Sequence, residues 1–184
     1  MSAAPAFRRL DLRLDLETSR LRIRPYRATD LDDVYDVLRD PAVFWWVTEP
    51  FTRERAAVWL ADEIRYLTRE HAGRHAVVLK ETGRVIGGVG LVPRDLSQGR
   101  EIELGYHLRH DLWGHGYATE AGEACVAHAA ASGLNRIIAL IYVDNPRSDA
   151  VAQRLGFRPE GRLMWAGLPH RLWALDLAAG PPLG

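Results

Sequence analysis

Residues 137–143 form the stretch that most restricts the fold, because their side chains are apolar almost without interruption (Ile-Ile-Ala-Leu-Ile-Tyr-Val). A strand with one face in water alternates apolar and polar residues, whereas a strand covered on both faces does not. We therefore predict a central strand here, with helices on both faces of the sheet that contains it. Such an arrangement defines an α/β domain.

The flanking sequence predicts an order of elements that fits this domain. It indicates a strand, two helices, three strands, a long helix, the central strand, a short helix and two last strands. Apolar spacing, turn residues and helix caps place these elements at 20–26, 30–40, 52–72, 75–80, 84–92, 101–108, 119–132, 137–143 and 148–155, with the last two strands around the turn at 167–169. One domain is expected over residues 12–177, with a flexible arm at 1–11 and a flexible tail at 178–184.

Charge and cysteine content exclude several classes of protein. The 184 residues include 24 basic and 24 acidic ones, a balance that attracts neither nucleic acid nor an anionic membrane surface, and we predict neither partner. No apolar run approaches the roughly 18 residues of a membrane span, and Arg8, Arg9 and Asp11 interrupt the place where a signal peptide would be apolar. Cys125 is the only cysteine, which favours a reducing, cytoplasmic location and a buried apolar role rather than a nucleophilic one.

A loop with two glycines lies between a predicted strand and the long helix. It reads Trp113-Gly114-His115-Gly116-Tyr117-Ala118. Glycines let successive backbone N–H groups converge on an anion, and the helix start adds unpaired N–H groups of its own. This predicts a pyrophosphate ligand, although a bare Gly-x-Gly also occurs in ordinary tight turns. The loop lacks the Gly-Lys-Ser/Thr ending of a P-loop, and Thr119 stands where a dinucleotide fingerprint needs its third glycine.

The surroundings of this loop resemble a known family. The segments concerned are, in chain order, 16–24 (LETSRLRIR), 103–108 (ELGYHL), 113–121 (WGHGYATEA), 144–148 (DNPRS) and 154–157 (RLGF). Together they are similar to the GNAT N-acetyltransferase superfamily, and most similar to the branch that includes the RimJ and RimL ribosomal-protein acetyltransferases. The resemblance extends over about residues 16–177 and implies a single-domain mixed sheet with helices on both faces.

The resemblance also implies a co-substrate and partners. The co-substrate would be acetyl-CoA, with no metal, and the acceptor would be an amine on a protein N-terminus or a small molecule. A homodimer is a further expectation from the family. The pyrophosphate would lie on the backbone from Trp113 to Ala118 and on the helix start at Thr119. Trp113 stands where the family usually has Gln or Arg, a change that leaves the backbone amides in place.

The pantetheine arm of the co-substrate would pair with the strand before the loop, as an added strand does. The groups that the resemblance assigns to it are the backbones of Tyr106, His107 and Leu108 and the side chain of Asn145. This places the thioester at the end of that strand, near the last short helix.

The polar face of the same strand predicts the acceptor site. Glu101, Glu103, Gly105 and His107 alternate with apolar residues, and unpaired carboxylates are costly to bury, so this face should border a cleft. An alkyl amine with a pKa near ~10 must lose a proton before it attacks a thioester. We predict that Glu103 takes this proton or orients the amine, with Glu101 as a second acceptor contact. His107 either relays the proton or owes its position to strand pairing.

The leaving thiolate needs a hydrogen-bond donor or acid. Many GNAT members place a tyrosine on the last short helix, at the position that Ala152 occupies here. Ser148 is predicted to replace it, by protonating or hydrogen-bonding the thiolate, with a helix cap as the alternative role.

Three aromatic residues lie between the first two predicted helices, in a region that borders the acceptor in this family. They are Phe44, Trp45 and Trp46. We expect them to wall the amine pocket or to stack on a cation, with core packing or a dimer contact as alternatives.

Two other function classes stay open at this point. A protein that holds acyl-CoA without turnover is favoured by the missing tyrosine. A dinucleotide-dependent redox enzyme is disfavoured by Thr119 and by the position of the loop beyond the middle of the chain. Direct attack of an amine on acetyl-CoA, without a covalent acetyl-enzyme, is the function that we expect.

Overall fold

The computed structural model of the chain describes residues 10–44, 47 and 49–177. Trp45 and Trp46, most of the predicted arm and the whole predicted tail lie outside the described residues. The strands are β1 (Leu16–Glu17), β2 (Leu21–Arg24), β3 (Gly73–Leu79), β4 (Val85–Leu96), β5 (Gly99–Leu108), β6 (Arg136–Tyr142), β7 (Arg158–Trp165) and β8 (Leu168–Asp176). The α-helices are α1 (Leu31–Leu38), α2 (Arg53–Glu70), α3 (Tyr117–Ala131) and α4 (Pro146–Arg154).

All eight strands form one sheet in the order β1-β2-β3-β4-β5-β6-β8-β7. Every neighbouring pair is antiparallel except β5 and β6, which are parallel. The apolar stretch that predicted a central strand is β6, which lies between β5 and β8. Ile137 and Ile138 are both fully buried although they point to opposite faces, which confirms that the strand is covered on both sides.

Two apolar clusters, one on each face of the sheet, build the core. One contains Cys125 of α3 and Ala152 of α4, packed with residues such as Leu104 and Ile137. The other contains Val34 of α1 and residues of α2. Helices therefore cover both faces, and the predicted α/β mixed sheet is confirmed.

Local sequence signals explain most helix ends. Helix α2 starts near Thr52, as the sequence predicted, and Thr52 caps it by accepting a hydrogen bond from the Arg55 N–H at 3.3 Å. The helix ends at His71, whose φ of 54° is left-handed. Helix α4 begins earlier than predicted, at Pro146, because Asn145 is its cap and proline is favoured at the first helical position.

The segment before β1 is held in place by contacts that the sequence did not predict. Leu12 and Leu14 are buried, with 2% and 1% of their surfaces exposed. The Leu12 N–H donates to the His71 carbonyl at 2.7 Å, and the Leu14 N–H donates to Nε2 of His75 at 2.8 Å. Burial lowers the pKa of His75 to about 4, so its ring is neutral at pH 7 and Nε2 can accept this hydrogen bond.

Candidate active site

The divergence of β5 from β6 opens a cleft in the sheet. Only Glu103 and Ile138 are paired between these strands, whereas β5 stays paired with β4 as far as Leu108. After Glu103 and Ile138, the backbone groups of β5 and β6 face each other without being paired. The cleft between them has a volume of about 450 Å³ and is lined by both strands, including Tyr106 and Ile141.

The predicted phosphate loop follows β5 and is open. Gly114 and Gly116 have φ values of 83° and 81°, a left-handed conformation that other residues adopt only with strain. Gly116 is the N-cap of α3, and within the described residues no side chain caps this helix. The first N–H groups of a 15-residue helix thus have no side-chain cap, which is the arrangement that an anion site at a helix start requires.

Arg20, the residue before β2, holds this loop in place. Its Nη1 donates to the carbonyl of His115 at 2.9 Å, and its guanidinium lies 4.5 Å from the ring centre of Tyr117. Its Nε donates to Oε2 of Glu120, in the first turn of α3, at 2.6 Å. Sequence reasoning used the segment around Arg20 only as part of a family resemblance and missed this role.

The Glu120 carboxylate accepts hydrogen bonds from three consecutive residues. Thr18, Ser19 and Arg20 all donate to its carboxylate. Burial alone would raise the pKa of Glu120, but these hydrogen bonds outweigh burial and lower it to about 2. The carboxylate is therefore ionised at neutral pH and holds the residues before β2 against the start of α3.

Trp113 joins the loop to the end of β5. Its indole Nε1 donates to the carbonyl of Leu108 at 2.9 Å. The guanidinium of Arg147, on α4, lies 4.8 Å from the centre of the Trp113 rings. At the position where the family usually has Gln or Arg, this chain has an indole ring that stacks with the guanidinium of Arg147.

The start of α4 and the end of β5 place three predicted site residues at the cleft. Oδ1 of Asn145 accepts from the Ser148 N–H at 3.1 Å, so Asn145 is the cap and the alternative role of Ser148 as a cap is wrong. The Tyr106 hydroxyl donates to the Ser148 carbonyl at 3.1 Å, and burial raises the pKa of Tyr106 to about 12. Asn145, Ser148 and Tyr106 all line the cleft, while Ala152 is buried behind them.

Glu103 lies at the other end of the cleft, with 8% of its surface exposed. Its Oε2 accepts from Nε of Arg94 at 2.5 Å, and the Arg94 guanidinium lies 5.3 Å from the ring centre of Trp165. Arg94 and Trp165, which come from β4 and from the end of β7, were not predicted as site residues. The pair of Arg94 and Glu103 joins neighbouring strands of the β4–β5 hairpin, whereas no local pattern marks Trp165, because it reaches Arg94 from a distant part of the chain.

His107 lines the cleft between aromatic rings. Its ring centre is 5.3 Å from that of Phe44 and 6.0 Å from that of Trp59, both in edge-to-face geometry. Burial, followed by the charge of Arg74, lowers the pKa of His107 to about 3. The ring is thus neutral at pH 7, and any part it takes in proton transfer starts from the neutral form.

Of the two predicted acceptor contacts Phe44 and Glu101, only Phe44 lines the cleft. Phe44 also packs against the apolar cluster that contains Val34, so it has both a position at the cleft and a part in the core. Glu101 is not among the described residues that line the cleft, and it accepts from Nε of Arg136 at 3.3 Å.

Among the described residues no group of three His, Cys, Asp or Glu side chains could hold a metal ion. None of the described helices combines the length and apolar character needed to cross a bilayer.

Comparison with known proteins identifies the family. The model of the acetyltransferase (GNAT) domain matches residues 20–158, which is more than half of the chain. The chain belongs to the GNAT acetyltransferase family. It is 34% identical over 151 residues to an uncharacterized N-acetyltransferase, p20 of Bacillus licheniformis, a match that covers 80% of this chain and 84% of p20.

Further matches place this GNAT chain near the predicted branch. A stretch of 68 residues is 43% identical to the ribosomal-protein-serine acetyltransferase of Escherichia coli (strain K12), covering 36% of this chain and 38% of that protein. The structure of RimL, the ribosomal L7/L12 alpha-N-protein acetyltransferase in complex with coenzyme A, matches with a TM-score of 0.75 and 20% identity, over 90% of this chain and 99% of RimL. The GNAT fold and the resemblance to the RimL branch are confirmed, and the protein is an acetyltransferase.

Proposed function

We propose that this GNAT acetyltransferase transfers the acetyl group of acetyl-CoA to a primary amine by direct attack of the amine. One observation carries the proposal: the cleft that Glu103 lines runs along β5, and the end of this strand leads into the open loop before α3. The RimL structure that shares the fold is a complex with coenzyme A, which supports the same co-substrate here. Cys125 is fully buried and burial raises its pKa to about 12, so this cysteine is unsuited to forming an acetyl-enzyme.

The residues present fit acetyl-CoA at both of its polar parts. The uncapped N–H groups of Tyr117, Ala118 and Thr119 suit the pyrophosphate, since an anion there would satisfy donors that have no side-chain cap. The unpaired edge of β5 from Gly105 to Leu108 suits the amides of the pantetheine arm. When bound, acetyl-CoA would supply a thioester carbonyl that a neutral amine can attack.

Glu103 is the group that we assign to the amine. Oε2 already accepts from Arg94, whereas Oε1 receives no hydrogen bond from the residues that the structure describes. An ammonium group can donate to Oε1, and the same oxygen can take its proton. Glu103 therefore either orients the amine or acts as its base, and both roles require the ionised carboxylate.

Ser148 is the group that we assign to the leaving sulfur. Ser148 lines the cleft together with Asn145, and its carbonyl is held by the Tyr106 hydroxyl. With Asn145 as the helix cap, the Ser148 Oγ–H has no capping role and can donate to sulfur. A thiol with a pKa of about 8.5 is a tolerable leaving group, so one hydrogen bond gives useful assistance.

The test is release of free CoA thiol from acetyl-CoA in the presence of a broad panel of amines. The panel would contain polyamines, aminoglycosides, amino acids and peptides with free N-termini. Steady release that depends on an amine, with a matching acetylated product by mass spectrometry, supports the proposal. Tight binding of acetyl-CoA without release across the whole panel would instead favour a protein that holds acyl-CoA as a ligand.

A further inference from the structure

The charged side chains at the acceptor end of the cleft are arranged in pairs. Three ionised groups line this end, namely Arg74, Arg94 and Glu103. Arg94 contacts Glu103 at 2.5 Å, and their side chains are 20% and 10% exposed. Arg74 contacts Glu63 of α2 at 3.1 Å, so its charge already has a partner outside the cleft. Glu103 is the only carboxylate among the described residues that line the cleft, and Arg94 shares it.

An incoming ammonium group disturbs this balance. If it binds to Glu103, the carboxylate is shared between the ammonium and the guanidinium of Arg94. Arg94 is mostly withdrawn from water, and a charge in such a place is costly when its partner is weakened. An acceptor that brings an anionic group close to its amine would compensate Arg94, and the four charges would then alternate in sign.

We propose that the acceptor is a free α-amino acid with an apolar or aromatic side chain, a substrate class that rests on the proposed acetyl transfer. Its ammonium binds Glu103 and its neighbouring carboxylate binds Arg94. These two protein groups lie side by side in the cleft, as the two charges of an α-amino acid do. A guanidinium also suits a carboxylate because it offers two parallel N–H donors.

The aromatic walls of the cleft are the reason to expect an apolar or aromatic side chain on this acceptor. Phe44, Phe51, Trp59 and Trp165 line the cleft. Trp165 also faces the Arg94 guanidinium, which keeps that group in position beside the wall. A second ammonium, as in a polyamine or an aminoglycoside, would find no further carboxylate among the described residues that line the cleft. A peptide N-terminus lacks the neighbouring carboxylate, because an amide replaces it.

The reaction balances with these groups alone. The amine nitrogen forms a bond to the acetyl carbon and the carbon–sulfur bond breaks. The ammonium loses one proton through Glu103, and the nitrogen loses a second as the amide forms. One of these protons ends on the CoA sulfur and the other is released to water. The products are an N-acetylamino acid and free CoA.

The test compares three amines that differ only in the group next to the amine: phenylalanine, phenylalaninamide and phenethylamine. Each rate is corrected for the fraction of the amine that is neutral at the pH used. We expect the wild-type kcat/KM for phenylalanine to exceed that for both analogues by at least tenfold. Equal or faster use of the amide or the amine by the wild-type protein would overturn the proposed acceptor, whereas no CoA release with any amine of the broad panel would overturn acetyl transfer itself.

Variants of Arg94 test the assigned partner of the carboxylate. Arg94→Gln is expected to reduce the ratio of phenylalanine to phenethylamine kcat/KM by at least tenfold, and Arg94→Lys to restore part of it. The matched control is Arg158→Gln, which removes an exposed arginine on β7 outside the cleft and should keep the ratio. An equal loss for all three amines in Arg94→Gln would mean that Arg94 merely holds Glu103 in place, and would contradict the proposal.

Discussion

Nε of Arg20 lies 2.6 Å from Oε2 of Glu120, a residue one hundred positions further along the chain. The same guanidinium donates to the carbonyl of His115 in the loop before α3. Arg20 therefore connects the beginning of β2 to both the loop and the helix that follows it. Since the loop has two glycines and no side-chain cap, this connection and the hydrogen bond of Trp113 to Leu108 restrict its backbone before an anion binds.

Removal of this connection should weaken acetyl-CoA binding more than it weakens the fold. For Arg20→Ala we expect the Kd for acetyl-CoA to rise about fivefold, which corresponds to about 1 kcal/mol for hydrogen bonds to a partly exposed charged group. Isothermal titration calorimetry measures the Kd, and thermal unfolding measures the accompanying loss of stability. Arg20→Lys retains the charge but not the pair of donors, and should be intermediate. An unchanged Kd in Arg20→Ala would remove Arg20 from loop positioning.

The glycine at the start of α3 can be tested against a glycine at its other end. Gly116 and Gly133 have φ values of 81° and 82°, so alanine at either position carries a similar backbone strain of roughly 1–2 kcal/mol. Only Gly116 lies in the loop, where a strained backbone turns the amides away from the anion. We expect both alanine variants to lose similar stability in urea, and Gly116→Ala alone to lose at least tenfold in acetyl-CoA affinity. Similar affinities in the two variants would contradict the assignment of the loop.

Trp113 and Arg147 make separable contributions to the same loop. Trp113→Phe keeps an aromatic ring under the guanidinium but removes the hydrogen bond to Leu108, at a cost to stability of about 1 kcal/mol.

Arg147→Ala removes an exposed positive charge beside the loop, so we expect a twofold to fivefold higher KM for acetyl-CoA at low salt and a smaller effect at high salt. Steady-state kinetics at two ionic strengths checks this, and a salt-independent KM effect would argue against an electrostatic role for Arg147.

Sequence patterns predicted the parts of this protein that depend on neighbouring residues. Apolar periodicity predicted β6 and α2, and the start of α2 near Thr52 and the glycines before α3 are where the pattern placed them. Contacts between distant segments have no such signal, because any arginine can pair with any carboxylate that the fold brings close. Arg20 with Glu120 and Leu14 with His75 are of this kind, and only the folded sheet brings them together.

The buried histidine under the N-terminal segment predicts a loss of stability in mild acid. The pKa of His75 is about 4 in the folded chain and 6.5 at its ordinary value, so the unfolded chain binds more protons between these limits. The contribution of His75 is therefore full above pH 6.5 and falls as the pH falls towards 4, by about 2 kcal/mol between pH 7 and 5. The neutral ring of His107 contributes in the same direction. Urea unfolding across this range measures the slope, and His75→Gln, whose amide oxygen can accept from Leu14, should make it less steep by the His75 contribution. A wild-type stability that does not change between pH 7 and 5 would contradict the neutral, buried ring.

Glu103 and Glu101 provide a matched pair for testing the proton transfer. Both project from the same face of β5, but Glu103 lines the cleft whereas Glu101 is paired with Arg136 outside it. If Glu103 is the base, Glu103→Gln should lower kcat at pH 7 by about a hundredfold, the lower range for general base catalysis. The deficit should shrink near pH 10, where an alkyl amine loses its proton without help. Glu101→Gln should keep the wild-type pH–rate profile. If Glu103→Gln also keeps that profile, Glu103 takes no part in the chemistry. If Glu103→Gln instead raises the KM for the amine at an unchanged kcat, Glu103 is an orienting group.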